Sequence, residues 1–167
     1  MKISGQHCTT GWQNIADELQ KEISKKQFNK VVIALECYHG VYTDEIKIAL
    51  QENLPDAQLI DASSALKADD DIEKMVYPFV TDDPVFGYMA PLNMKDFFDY
   101  SDVISTQNKI ESTKNKTVIV YGTGASLIAN NADILVYADM PRWEIQLRFR
   151  NNSISNLGAE NKDEEFS

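Results

Sequence analysis

Cysteine and histidine are both scarce. Cys8 and Cys37 are the two cysteines in 167 residues, far apart and with no disulfide scaffold around them. His7 and His39 are the two histidines, and no His/Glu cluster has the spacing of metal ligands. No apolar run approaches the roughly 18 residues of a membrane span, and no signal-peptide core is present. Basic residues are outnumbered, 16 Lys and Arg against 26 Asp and Glu, for a formal charge of −10. That balance excludes the clustered cations needed for non-specific nucleic-acid or anionic-membrane binding. A reducing cytoplasm is the expected location. What is present, 43% hydrophobic and 25% charged residues, suits one globular core. The expectation is a single domain over residues 1–167, with 153–167 as an acidic tail or linker.

The stretch Thr117–Arg150, TVIVYGTGASLIANNADILVYADMPRWEIQLRFR, organises the rest. Its two β-branched runs, Thr117–Tyr121 and Asp133–Tyr137, have the length of buried strands. KVVIAL at Lys30–Leu35 is a further central strand, and AQLI at Ala57–Ile60 a short one. Helical periodicity places Trp12, Ile15, Leu19 and Ile23 inward on a first helix that Thr10 and Gln13 cap and that ends near Phe28-Asn29. A second helix runs from Asp44 to Asn53 with Thr43 as N-cap, Ile46, Ala49 and Leu50 facing the sheet, and Pro55 beyond it. The acidic run Asp69-Asp70-Asp71 opens a short helix, and Asp102–Glu111 forms another. Between them lies a loop through Pro78, Pro84, Gly87 and Pro91, anchored by Phe97, Phe98 and Tyr100. Trp143, Leu147 and Arg150 share a face of a last helix. Continuous apolar strands alternating with helices predict an α/β, three-layer parallel sheet that stops soon after its fourth strand, where either the tail covers the edge or the chain is part of something longer.

Several residues carry potential chemistry. Gly122 and Gly124 in GTGAS either cradle an anion or form a tight structural turn. Asp61 is either a general base for a hydroxyl or the cap of the following turn. Glu36, Tyr38 and His39 end the central strand, where open α/β sheets bind ligands. Asp139 and Arg142 straddle Pro141 and either clasp an anionic ligand or pair with each other. Cys37 reads as a buried small side chain, since no His-Asn/Asp partners are assignable around it.

The succession VVIALECYHGVYTDEI, LIDASS, VIVYGTG and ILVYADMPRW resembles the uridine-kinase-like branch of the P-loop kinases over roughly Val31 to Arg150. That resemblance implies a phosphate loop after the first strand, an acceptor-side Asp after the second and an Arg-bearing lid after the fourth. It also implies a substrate-side loop in PVFGYMAPLNMKDFFD. A working phosphate loop is G-x-x-x-x-G-K-[ST]. Here Glu36-Cys-Tyr-His-Gly-Val-Tyr-Thr stands in its place, with one Gly and no Lys. Two anions about 4 Å apart repel by roughly 4 kcal/mol at an effective dielectric near 20, so Glu36 opposes a phosphate there. The phosphate loop is therefore degenerate.

ECYHGVYTDEI, VFGYMAPLNMKDFFD and ADILVYADMPRWEIQLRFRN are more specifically similar to the N-terminal kinase-like region of bacterial class I mannose-6-phosphate isomerase-like proteins. In that family a downstream cupin barrel binds Zn²⁺ through His, Gln and Glu ligands and interconverts mannose 6-phosphate and fructose 6-phosphate. The resemblance implies a non-catalytic, regulatory or sugar-phosphate-binding domain with no cofactor or metal of its own, and a downstream isomerase domain as partner. The alternatives are a small nucleoside or sugar kinase, with Asp61 as base and Arg142 on the transferred phosphate, and an oligomerisation domain forming a homo-oligomer.

Overall fold

The computed structural model describes residues 8–81 and 87–163. His7, Pro84, the first two residues of the VFGYMAPLNMKDFFD segment and the last four of the tail lie outside the described residues. Four strands, β1 (Val31–Cys37), β2 (Gln58–Asp61), β3 (Thr117–Gly122) and β4 (Ile134–Ala138), form one parallel sheet. Their order is β2-β3-β1-β4. The two strands richest in β-branched residues, β1 and β3, are central and pair from Val31↔Thr117 to Glu36↔Gly122. Asp133 ties β4 to β1: its carboxylate accepts from the Val32 amide at 2.8 Å, and its own amide donates to the Val32 carbonyl.

Side chains alternate across the sheet because the strand period is two. Ile33, Leu35 and Ile119 face one way, against Ala16 of α1 (Trp12–Lys25) and Ile46 and Leu50 of α2 (Thr43–Asn53). Ala34, Val118 and Val120 face the other way, against Ile110 of α4 (Tyr100–Ser112) and Ala125 and Ile128 of the one-turn α5 (Ala125–Ile128). The fold is thus α/β with helices on both faces. Complete burial of each such aliphatic side chain contributes about 1.5–3 kcal/mol. The short α3 (Asp69–Val76) and the last helix, α6 (Arg142–Arg150), complete the order.

The helix ends depart from the sequence expectations for local reasons. The Thr10–Gln13 capping box does not form: Gly11 is the N-cap, Gln13 donates instead to Asp17, and α1 stops at Lys25. Thr43 is the first residue of α2 rather than its cap. At α4, Asp99 accepts from the amides of Ser101 and Asp102, which starts that helix two residues early. Trp12 and Ile15 are not inward; they stand near half exposed at the side of the sheet where β4 is the edge. Of the three aromatics expected to anchor the long connection, Phe98 is buried and Phe97 partly so, whereas Tyr100 is exposed.

Phe98 sets a demand on Gly124. Gly124 has φ +85°, and a Cβ there would lie 2.2 Å from the Phe98 ring. Gly124→Ala combines left-handed backbone strain of about 1–2 kcal/mol with overpacking of about 1–3 kcal/mol. It should lower unfolding free energy by about 3 kcal/mol in urea titration, while Ser126→Ala beside it should cost about 1 kcal/mol for the hydroxyl's hydrogen bond.

Candidate functional site

The carboxyl ends of β1, β2 and β3 open on a crevice, the usual ligand position in an open α/β sheet. Gly122 and Thr123 line it, and the loop they begin, running to Ser126, turns through two left-handed glycines, Gly122 at φ 115° and Gly124 at φ 85°. This conformation aims backbone amides at one point, as anion-binding nests do. The point is filled by Glu36. Its carboxylate accepts from the Gly124 amide at 2.6 Å, the Ser126 amide at 2.7 Å and the Ser126 hydroxyl at 2.7 Å. Thr123 completes the lock by donating its hydroxyl to the Cys37 carbonyl at 3.1 Å. Glu36, Gly122 and Gly124, singled out separately in the sequence, are therefore one unit.

The connection that follows β1 is closed from a different direction. Gly40, at φ 93°, offers its carbonyl to Arg148 Nη1 at 2.6 Å. The same guanidinium stacks 3.7 Å over the Tyr42 ring and pairs through Nε with Glu144 at 3.0 Å. The Tyr38 amide donates to Ala138 and the Val41 amide to Tyr38, so both are already committed. Arg148 reaches this connection from α6 together with Ile145, beside Gly40, and Phe149, beside His39. Arg142 lies exposed at the start of α6, and Asp139 accepts from the neighbouring Met140 amide. The two do not pair with each other.

Residues 154–160 lie across the crevice rather than trailing away. Ile154 packs on Gly40, and Gly158 sits against Ile72 of α3 so closely that a Cβ there would fall 2.2 Å from it. Beneath this strap is a cavity of about 770 Å³. Its lining includes the carboxylates of Asp44, Glu45, Asp61 and Glu160, and no Lys or Arg is among the lining residues. Asp61 accepts from the Ser63 amide at 2.9 Å and from the Tyr121 hydroxyl at 3.2 Å. It therefore caps the turn after β2, the capping reading of this residue, and also lines the cavity. Burial and the neighbouring Asp61 carboxylate push the Tyr121 phenol up to about 12, so it stays a donor. A phosphate in this cavity would meet these acids with no Lys or Arg among the lining residues, Arg148 beside it being engaged by Gly40, Tyr42 and Glu144.

His39 contacts Phe149 with ring centroids 5.9 Å apart, and its Nε2 is buried with no hydrogen-bond partner. Burial lowers its pKa, and a hydrogen bond to the Ser155 backbone opposes that in part. It is a packed, neutral imidazole under the strap. Tyr38 is exposed. Burial raises the Cys37 thiol to about 11, which keeps it protonated and suits a core residue better than a nucleophile. Among the described residues no three His, Cys, Asp or Glu side chains are grouped so as to hold a metal ion; the isomerase resemblance assigns its zinc to a downstream domain, not to these residues. Sequence reasoning missed Ser126, Tyr121, Arg148 and the strap. The serine that follows GTGA and the aromatic at the end of β3 offered weak signals for the first two, and nothing local marked the others.

Against known proteins, the model of a family described as Domain of unknown function (DUF8485) matches residues 11–167. No curated protein and no solved structure matches the chain.

Replacing Glu36 by Gln presents an amide NH₂ to the Gly124 or Ser126 donors. Loss of this charge-assisted contact should cost about 2 kcal/mol in chemical denaturation, whereas Tyr38→Ala, at an exposed position, should cost far less. Because the folded His39 pKa lies below the unfolded one, its contribution is fully present above about pH 6.5 and is lost as pH falls. His39→Gln should therefore flatten the fall of stability between neutral and mildly acid pH relative to the parent chain, measured by urea unfolding at several pH values.

Proposed function

The chain belongs to the DUF8485 family, and we propose that it is a non-catalytic, kinase-like α/β domain whose phosphate sites are satisfied by its own side chains. The observation that carries this reading is the Glu36 carboxylate seated on the Gly124 and Ser126 amides. An entering phosphate would have to displace a covalently tethered anion and then find no lysine. The order of parts supports the P-loop-kinase-like layout: a central first strand, an Asp at the end of the second, Gly at the end of the third, and an Arg-bearing helix after the fourth. The commitment of Gly40 and Tyr42 to Arg148 supports loss of phosphoryl transfer, since the element placed like a lid is fixed in contact with the loop.

On this reading the domain regulates or holds together a larger activity rather than performing one. The similarity to the N-terminal region of mannose-6-phosphate isomerase-like proteins suggests which activity: interconversion of mannose 6-phosphate and fructose 6-phosphate at a zinc site outside these residues. The acidic cavity argues for a structural or regulatory role over capture of the sugar phosphate itself.

Isothermal titration of residues 1–167 with MgATP, and separately with mannose 6-phosphate, should give no binding heat, and zinc should elicit no isomerase turnover. Micromolar MgATP binding that Glu36→Gln strengthens would instead establish a nucleotide site and favour a small kinase using Asp61 as base.

A further inference from the structure

A poorly protected strand edge lies away from the crevice, along β4. This strand pairs with β1 on one side and with no other strand among the described residues. Its sequence, Ile-Leu-Val-Tyr-Ala, contains no charge, proline or glycine. Natural edge strands are usually blunted by such residues, because open N–H and C=O groups beside apolar side chains recruit another strand. Ile134, Val136 and Ala138 face the α1 layer. Leu135 and Tyr137 face the other way, beyond the reach of α4 and α5, and remain 67% and 56% exposed. On the α1 side, Trp12 and Ile15 remain 45% and 42% exposed. All four line one apolar groove of about 490 Å³ that runs along the edge.

We propose that this edge is a homodimer interface, in which β4 of one copy pairs antiparallel with β4 of a second copy about a two-fold axis.

Self-complementarity selects a second copy as the occupant. A two-fold axis through Val136 sets Leu135 against Tyr137 of the partner on the same face, in both directions. Such aliphatic–aromatic cross-strand pairs stabilise a sheet by roughly 0.2–1 kcal/mol each. The flank of α1 next to the groove carries both signs of charge, with Glu18 and Glu22 ion-paired to Lys21 and Lys25. The net charge of −10 repels a second copy in general, whereas β4 itself carries no charge. Asp133 and Asp139, which the axis brings together at the ends of the strand, are each already held by a backbone amide, of Val32 and Met140. The area is of the right order. Side chains of this size present about 150–250 Å² when free, so four near half exposure leave roughly 400 Å² per copy. Two copies with their strand backbones approach the roughly 1,000 Å² that a specific interface requires.

Size-exclusion chromatography with light scattering at high micromolar concentration tests this. The parent chain should have twice the monomer mass. The double variant Leu135→Lys, Tyr137→Lys, altered only at exposed positions, should lose the dimer while keeping its circular dichroism and a cooperative urea transition. Ile48→Lys, at an exposed apolar position on α2 outside the groove, should stay dimeric. A monomeric parent overturns the proposal, and protection of β4 amides from hydrogen exchange in that monomer would assign the edge to the chain itself. A dimer that survives the double variant overturns it equally, because the contact then lies on another surface. The dimer does not depend on the phosphate sites, so nucleotide binding would leave this result untouched.

Discussion

One carboxylate on two backbone amides sets the character of this molecule. The turn after β3 is built to receive an anion, and Glu36, on the neighbouring central strand, supplies it from within. The contact joins β1 to the start of α5 and so links the two strands that form the middle of the sheet. It also settles the electrostatics of the crevice. A turn that would otherwise offer partial positive charge is neutralised, and the remaining cavity wall is acidic. An external phosphate then has to compete with a tethered group whose effective concentration is far above that of any free ligand.

The other closures follow the same logic. Arg148 takes up the Gly40 carbonyl and the face of Tyr42, and the strap over the crevice packs Ile154 and Gly158 against Gly40 and Ile72. His39 is held neutral in between. Each contact removes a backbone or side-chain group that a ligand would otherwise use. Together they favour a rigid platform over a site that opens and closes with each turnover.

Much of this fold could be read from residue pattern. The strands β1 and β3 were legible because continuous β-branched runs are the mark of a sheet covered on both faces. Glu36 was legible as an obstacle to phosphate, but not as a partner, because its amides lie 88 and 90 residues away. Trp12 and Ile15 were misplaced because helical periodicity reports which residues share a face, not whether the sheet beneath extends far enough to cover them. Arg148 was not singled out, because its role depends on how α6 leans over Gly40. The strap was mistaken for an acidic tail since its anchoring residues, Ile154, Leu157 and Gly158, are thinly spread among polar ones.

The account depends most directly on which group occupies the amides of Gly124 and Ser126 when nucleotide is abundant. A crystal structure grown with a non-hydrolysable MgATP analogue would read this out. The account predicts Glu36 still bound to both amides and no phosphate density in the crevice. A phosphate resting on those amides, or on the backbone between Tyr38 and Tyr42, would contradict it.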